Sequence, residues 1–175
     1  MTRASGRLAL LVGLLALPRL VRAQSSTASV SADAVVVTTG ITLTSLRDLA
    51  FGSVPKGAAT TVAPGAANAG AWQVVGNGNA FVSITLTLPS ALTNVQAVPG
   101  VTMPLSFGNT SALWRRATNN PSGATAFNPQ VGTTGRLGPP ANPSLYIWIG
   151  GTVSPSAAQL PGIYVGTIIV SLAYL

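Results

Sequence analysis

The chain has 175 residues, no cysteine and no histidine, and its nine basic side chains outnumber two acidic ones for a formal charge of +7. These counts exclude disulfide scaffolding and thiolate or imidazole chemistry, and two lone carboxylates fall short of the several oxygen ligands that a calcium site wants from one loop. The length fits one domain of ordinary size with a core of its own.

The first residues read as an export signal. Arg3 and Arg7 precede an apolar stretch over residues 8–17, Pro18 stops it, and Val21-Arg22-Ala23 offers small residues for cleavage. The mature chain is therefore expected to run from Gln24 to Leu175 as a single domain. The apolar stretch is too short to cross a bilayer, so the protein is expected in the periplasm, at the cell surface or outside the cell, and not spanning a membrane. Beyond the signal the basic residues are Arg47, Lys56, Arg115, Arg116 and Arg136, against Asp33 and Asp48. Nucleic-acid binding needs clustered cations to neutralise phosphates. Only Arg115 and Arg116 adjoin, so no nucleic-acid partner is expected.

Strand formers and turn residues then alternate without helical periodicity. A β-rich run covers residues 30–39 and stops at Gly40, and residues 41–45 continue it. Residues 49–54 read as a short strand ahead of Pro55-Lys56-Gly57, and residues 60–63 as another. Residues 71–75 and 80–88 look like a hairpin closed by Gly76-Asn77-Gly78-Asn79, whose residue types tolerate positive φ. Val82, Ile84, Leu86 and Leu88 alternate with Ser83, Thr85 and Thr87, the pattern of a half-buried antiparallel strand.

A strand over residues 101–107 follows. Residues 108–142 are rich in Gly, Asn, Pro and Thr and read as a long surface excursion with one short strand near residues 131–137. Residues 145–149 return to the sheet, Gly150-Gly151 turns the chain, and Thr152-Val153 leads to the end. The final strand, residues 163–174, sets Tyr164, Gly166, Ile168, Val170, Leu172 and Tyr174 on one face. It is expected in the middle of a sheet with that row inward. Together these elements predict an all-β antiparallel sandwich.

Chemistry is scarce. Asp33 reads as an exposed strand residue, and Asp48 as a turn residue capping locally or pairing with Arg47. Lys56, in its turn, reads as solvated and protonated, so no base is available to activate a serine. No catalytic residue, metal ligand or cofactor site is expected. Trp72 and Trp148 read as core residues. Trp114, beside Arg115 and Arg116 in the polar stretch, is the candidate surface contact for a partner or glycan.

Three blocks carry a family resemblance. Leu46-Arg47-Asp48-Leu49-Ala50-Phe51-Gly52 is similar to an early "L-x-F-G" block, and residues 81–89 to a strand ending in "LP". Ile149-Gly150-Gly151-Thr152, with Gly162-Ile163-Tyr164-Val165-Gly166 and Tyr174, is similar to a closing "G-x-Y-x-G" block and strand. In order and spacing they resemble the secreted bacterial family named domain of unknown function 4402. The terminal strand, with Gly162 near its start and Tyr174 penultimate, also resembles that of chaperone–usher pilus subunits. The resemblance implies an Ig-like, pilin-like β-sandwich of the spore-coat-protein-U type without established activity.

The pilin analogy implies an incomplete sandwich whose groove accepts a strand from a periplasmic chaperone and then from the next subunit. This chain lacks the paired cysteines usual in pilins. Val30, Ala32, Ala34 and Val36 would form the donated row, and Ile168, Val170 and Leu172 would line the acceptor; otherwise residues 30–39 form the first strand of the chain's own complete sandwich. The alternative is a monomeric surface module that binds a glycan or another partner.

Overall fold

The computed structural model describes residues 40–96 and 101–175. The chain divides between Val36 and Val37 into two units, and every described residue lies in the second. The expected cleavage site, Asp33 and the row of Val30, Ala32, Ala34 and Val36 lie outside the described residues.

Among the described residues there is no helix, and the strands in chain order are β1 Thr42–Arg47, β2 Thr60–Val62, β3 Gly70–Val75, β4 Phe81–Thr87, β5 Ala91–Asn94 and β6 Thr102–Ser106. They continue as β7 Ala112–Arg116, β8 Thr125–Phe127, β9 Thr133–Arg136, β10 Ser144–Ile149, β11 Gly151–Val153, β12 Tyr164–Val165 and β13 Ile169–Tyr174. Every pairing is antiparallel. One sheet has the order β1-β3-β10-β7-β8, a second β12-β5-β6-β11-β2, and a third β13-β4-β9. Chain continuity joins the second and third, because β4 leads into β5 and β12 leads into β13. Tyr164 sits opposite Asn94 while Ile169 sits opposite Thr87, so the pairing shifts register across the break at residues 166–168.

The core lies between the first sheet and the other two, as in a β-sandwich. Val74, Leu145, Ile147 and Ile149 from one side meet Val82, Ile84, Leu105 and Val153 from the other. All but Leu105 are fully buried. Alternation explains this directly. In β4, Val82 and Ile84 are buried while Phe81, Thr85 and Thr87 are exposed, because successive strand side chains leave on opposite faces.

Several expectations need correction. The β3 and β4 arms do not form a hairpin: β3 lies between β1 and β10, and β4 between β13 and β9. The segment between them is instead a corner where the chain changes sheet. Gly76 N donates to Pro143 O at 3.3 Å and Asn79 N to Gly138 O at 2.7 Å, so the corner bonds to a different loop. Val74 and Val82 then enter the core from different sheets rather than pairing along one ladder. Residues 108–142 are no surface excursion either: the short strand expected near residues 131–137 is β9, but β7 and β8 arise from the same stretch as well. Their Gly and Pro content marks the turns between short strands, which hid β7 and β8.

Residues 49–54 form no strand, and β5 appears where none was expected. The final strand is broken and lies at a sheet edge, not in the middle, because β6 and β9 occupy the far sides of β5 and β4. Its register is as expected: Val170, Leu172 and Tyr174 turn inward and are half-buried. Trp72 packs against the core. Trp148 is buried at 2% exposure but occupies the opposite face of β10, stacked on Tyr146 with ring centroids 6.1 Å apart.

Candidate functional site: a groove open to the core

Between the loop after β1 and the first half of the final strand runs a groove of about 1000 Å³. One wall is the segment from Asp48 to Val54, with Lys56 near its end. The other runs from Gln159 to Ile168. Leu92, Met103 and Leu105 form the floor, flanked by Trp72. The same three floor residues belong to the core cluster. The hydrophobic core is thus reached from outside along this line, between an edge strand of one sheet (β1) and an edge strand of the other (β12).

Sequence and local physics explain both walls. Phe51 packs inward while Gly52, Ser53 and Lys56 stay exposed, and Gly52 has φ +68°. That backbone interrupts the strand alternation read into residues 49–54. Pro55 then removes a donor.

The opposite wall is latched by buried polar groups, as buried amides require. Gln159, 8% exposed, donates from Nε2 to Thr102 O at 3.1 Å and to Tyr164 Oη at 2.7 Å. The Tyr164 hydroxyl donates to Leu160 O at 2.7 Å. Asn94, 1% exposed, donates to Pro161 O at 3.4 Å and accepts from Gln96 N at 3.0 Å. Gly162 passes beside that amide with φ +146°, and a Cβ there would stand 2.4 Å from Asn94 Nδ2. Glycine is the residue this backbone admits.

The wall also presents apolar side chains to solvent. Leu160, Ile163 and Val165 are all more than 40% exposed, and Val95 N donates to Ile163 O beside them. A connected apolar rim of this kind marks a contact surface more often than isolated exposed residues do.

Of the residues singled out in the sequence, Gly162, Tyr164 and Ile168 line the groove. Val170 and Leu172 do not line it; they pack against the core from β13. Tyr174 accepts a hydrogen bond from Asn77 N at 2.8 Å, so its hydroxyl is used within the domain. Trp114 lies in β7 rather than in a loop, half-buried against the core, with its indole nitrogen buried and unpartnered. Arg115 Nη1 bonds to Asn120 O and to Ser122 O, and Arg116 Nη2 to Asn79 Oδ1 at 2.9 Å. Arg47 gives its Nε to Ala69 O at 2.7 Å, while Asp48 lines the groove. The expected pairing between these neighbours is therefore not made.

Sequence reading missed the floor residues and the Gln159–Tyr164–Asn94 latch. The alternation Leu92, Asn94 between Pro89 and Pro99 was the available signal for β5. Nothing in Gln159 itself announces a buried amide. Among the described residues no three His, Cys, Asp or Glu side chains come together, and no helix is long and apolar enough to cross a membrane. No protein-family model matches the chain, and no curated protein matches it.

Proposed function

We propose that this chain is a non-enzymatic, exported structural or assembly subunit of a cell-surface appendage or coat, an Ig-like sandwich that joins to its neighbours by strand addition. The observation that carries the reading is the groove whose floor is the core itself. An open line of apolar contacts between two sheet edges suits an extended segment with alternating side chains, which would add backbone hydrogen bonds and fill side-chain pockets together. It would also cover an edge that otherwise invites uncontrolled pairing. The resemblance of the terminal strand to pilus subunits supports the same reading, and a periplasmic chaperone and usher are the partners it implies.

The donor is the segment after the signal, with Val30, Ala32, Ala34 and Val36 as its inserted row. The acceptor is the groove at Leu92, Met103, Leu105, Tyr164 and Ile168, displaced toward the start of the final strand from the site expected at Val170 and Leu172. The glycan-binding alternative has less support, since the Trp114 ring packs inward and Arg115 is engaged by its own loop.

Deletion of residues 24–37 tests the proposal. The expected product is a folded monomer that no longer forms SDS-resistant ladders and is stabilised by a synthetic peptide of residues 28–39. Outright unfolding of the deletion variant, without rescue by that peptide, would assign the segment to the chain's own first strand and overturn strand exchange.

A further inference from the structure

The corner between β3 and β4 gathers positive charge. Arg116, at the end of β7, donates from Nη2 to Asn79 Oδ1 at 2.9 Å, and Arg136, at the end of β9, donates from Nε to Asn79 O at 3.0 Å. Two guanidinium groups thus meet on the two oxygens of one asparagine. Asn79 is fixed in the left-handed region at φ 63° and is tied through its N–H to Gly138 O at 2.7 Å. Arg136 also lies over the Phe81 ring, 5.2 Å from its centroid, which sets the plane of the guanidinium.

Neither arginine forms an ion pair among the described residues, where Asp48 is the one acidic side chain and stands in the groove wall. Each guanidinium carries five N–H donors and spends one here, so both Nη groups of Arg136 remain, as do Nε, Nη1 and the second N–H of Nη2 of Arg116. The other arginines differ. Arg115 gives two bonds to its own loop, and Arg47 is tied to Ala69.

We propose that Asn79, Arg116 and Arg136 form a binding site for a phosphate group, either free in solution or carried on a lipid headgroup. Guanidinium forks match the oxygens of phosphate, and a rigid corner that already holds them lowers the ordering cost of binding. The site stands apart from the groove and does not depend on strand addition.

The test titrates inorganic phosphate into the mature protein and follows arginine Nε–H and Asn79 amide resonances by NMR, with chloride at matched ionic strength as control. Saturable shifts confined to Arg116, Arg136 and Asn79 are expected. Arg116→Lys and Arg136→Lys keep the charge and lose the fork; each should weaken binding by about tenfold, the worth of one charge-assisted hydrogen bond. Arg115→Gln should leave it unchanged. Co-sedimentation with phosphatidylglycerol but not phosphatidylcholine vesicles, lost in the Arg136→Lys variant, would assign the headgroup as source; binding of phosphate alone would assign the free anion. Shifts equal to those with chloride, or equal weakening by Arg115→Gln, would overturn the site.

Discussion

Two contacts at the scale of single atoms decide how the chain end is held. The Tyr174 hydroxyl reaches the corner between β3 and β4, where it accepts from Asn77 N, and a Cβ on Gly76 would stand 2.4 Å from that same oxygen. Tyr174→Phe is expected to cost about 1–2 kcal/mol, the cost of a half-buried hydrogen bond lost. Gly76→Ala is expected to cost more in the native background than in the Tyr174→Phe background, because removing the hydroxyl makes room for the new methyl. Urea denaturation of the four proteins in that cycle measures the coupling, and strict additivity would contradict the contact. Gly162→Ala faces both a positive φ and the Asn94 amide, which is buried and cannot move to water. A loss of at least about 2 kcal/mol is expected from strain and displaced polar contacts together, measured as a fall in denaturation midpoint at unchanged slope.

At the scale of elements, the fate of each strand reading follows from which physical signal the sequence carries. Strict alternation in β4 and at the end of the chain gave face and register correctly, since a period of two is a local property. Partner choice is not local. The Gly-Asn-Gly-Asn corner has hairpin chemistry, yet both flanking strands find other neighbours. The short strands β7 and β8 stayed hidden because three to five residues between glycines and prolines carry little periodicity, whereas β9 was foreseen. The groove was legible only as a vague expectation that the final strand would border one. Its floor depends on β5 and β6, and its far wall on a run that resembles a strand and is not one. The floor residues should also be energetically softer than the middle of the core. Ile147→Ala, at 0% exposure, is expected to cost about 3–4 kcal/mol, whereas Met103→Ala, on the open floor, should cost about 2, since a site near solvent leaves less unfilled cavity. Chemical denaturation of both variants orders them, and equal costs would mean the groove is closed in solution.

For the whole molecule, topology sets the kinetics. β4 pairs with β13 at the far end of the sequence and β2 pairs with β11, so the sheets close only after long loops are ordered. Non-local pairing of this kind folds slowly, on the order of milliseconds to seconds. Stopped-flow refolding followed by the fluorescence of Trp72, Trp114 and Trp148 should show that range; a microsecond phase carrying the full amplitude would argue for a more local nucleus. With no cysteine in the chain, sheet pairing and packing alone hold the native state, and a reductant should leave the denaturation midpoint unmoved.

The junction of chain end and corner has a mechanical consequence. Leu175 N donates to Phe81 O at 3.1 Å, and the adjacent Tyr174 is fastened to the turn that precedes β4. A tensile load applied at the C-terminus therefore meets the Leu175 backbone bond and, at the last rung of the six-residue ladder of β13, a side-chain fastener. A polymer that transmitted force through this end would owe part of its first resistance to one phenol, beside the Leu175 backbone bond. Drawn from Leu175 in an optical trap, the Tyr174→Phe protein should yield at lower force than the parent, with the contour length released on unfolding unchanged.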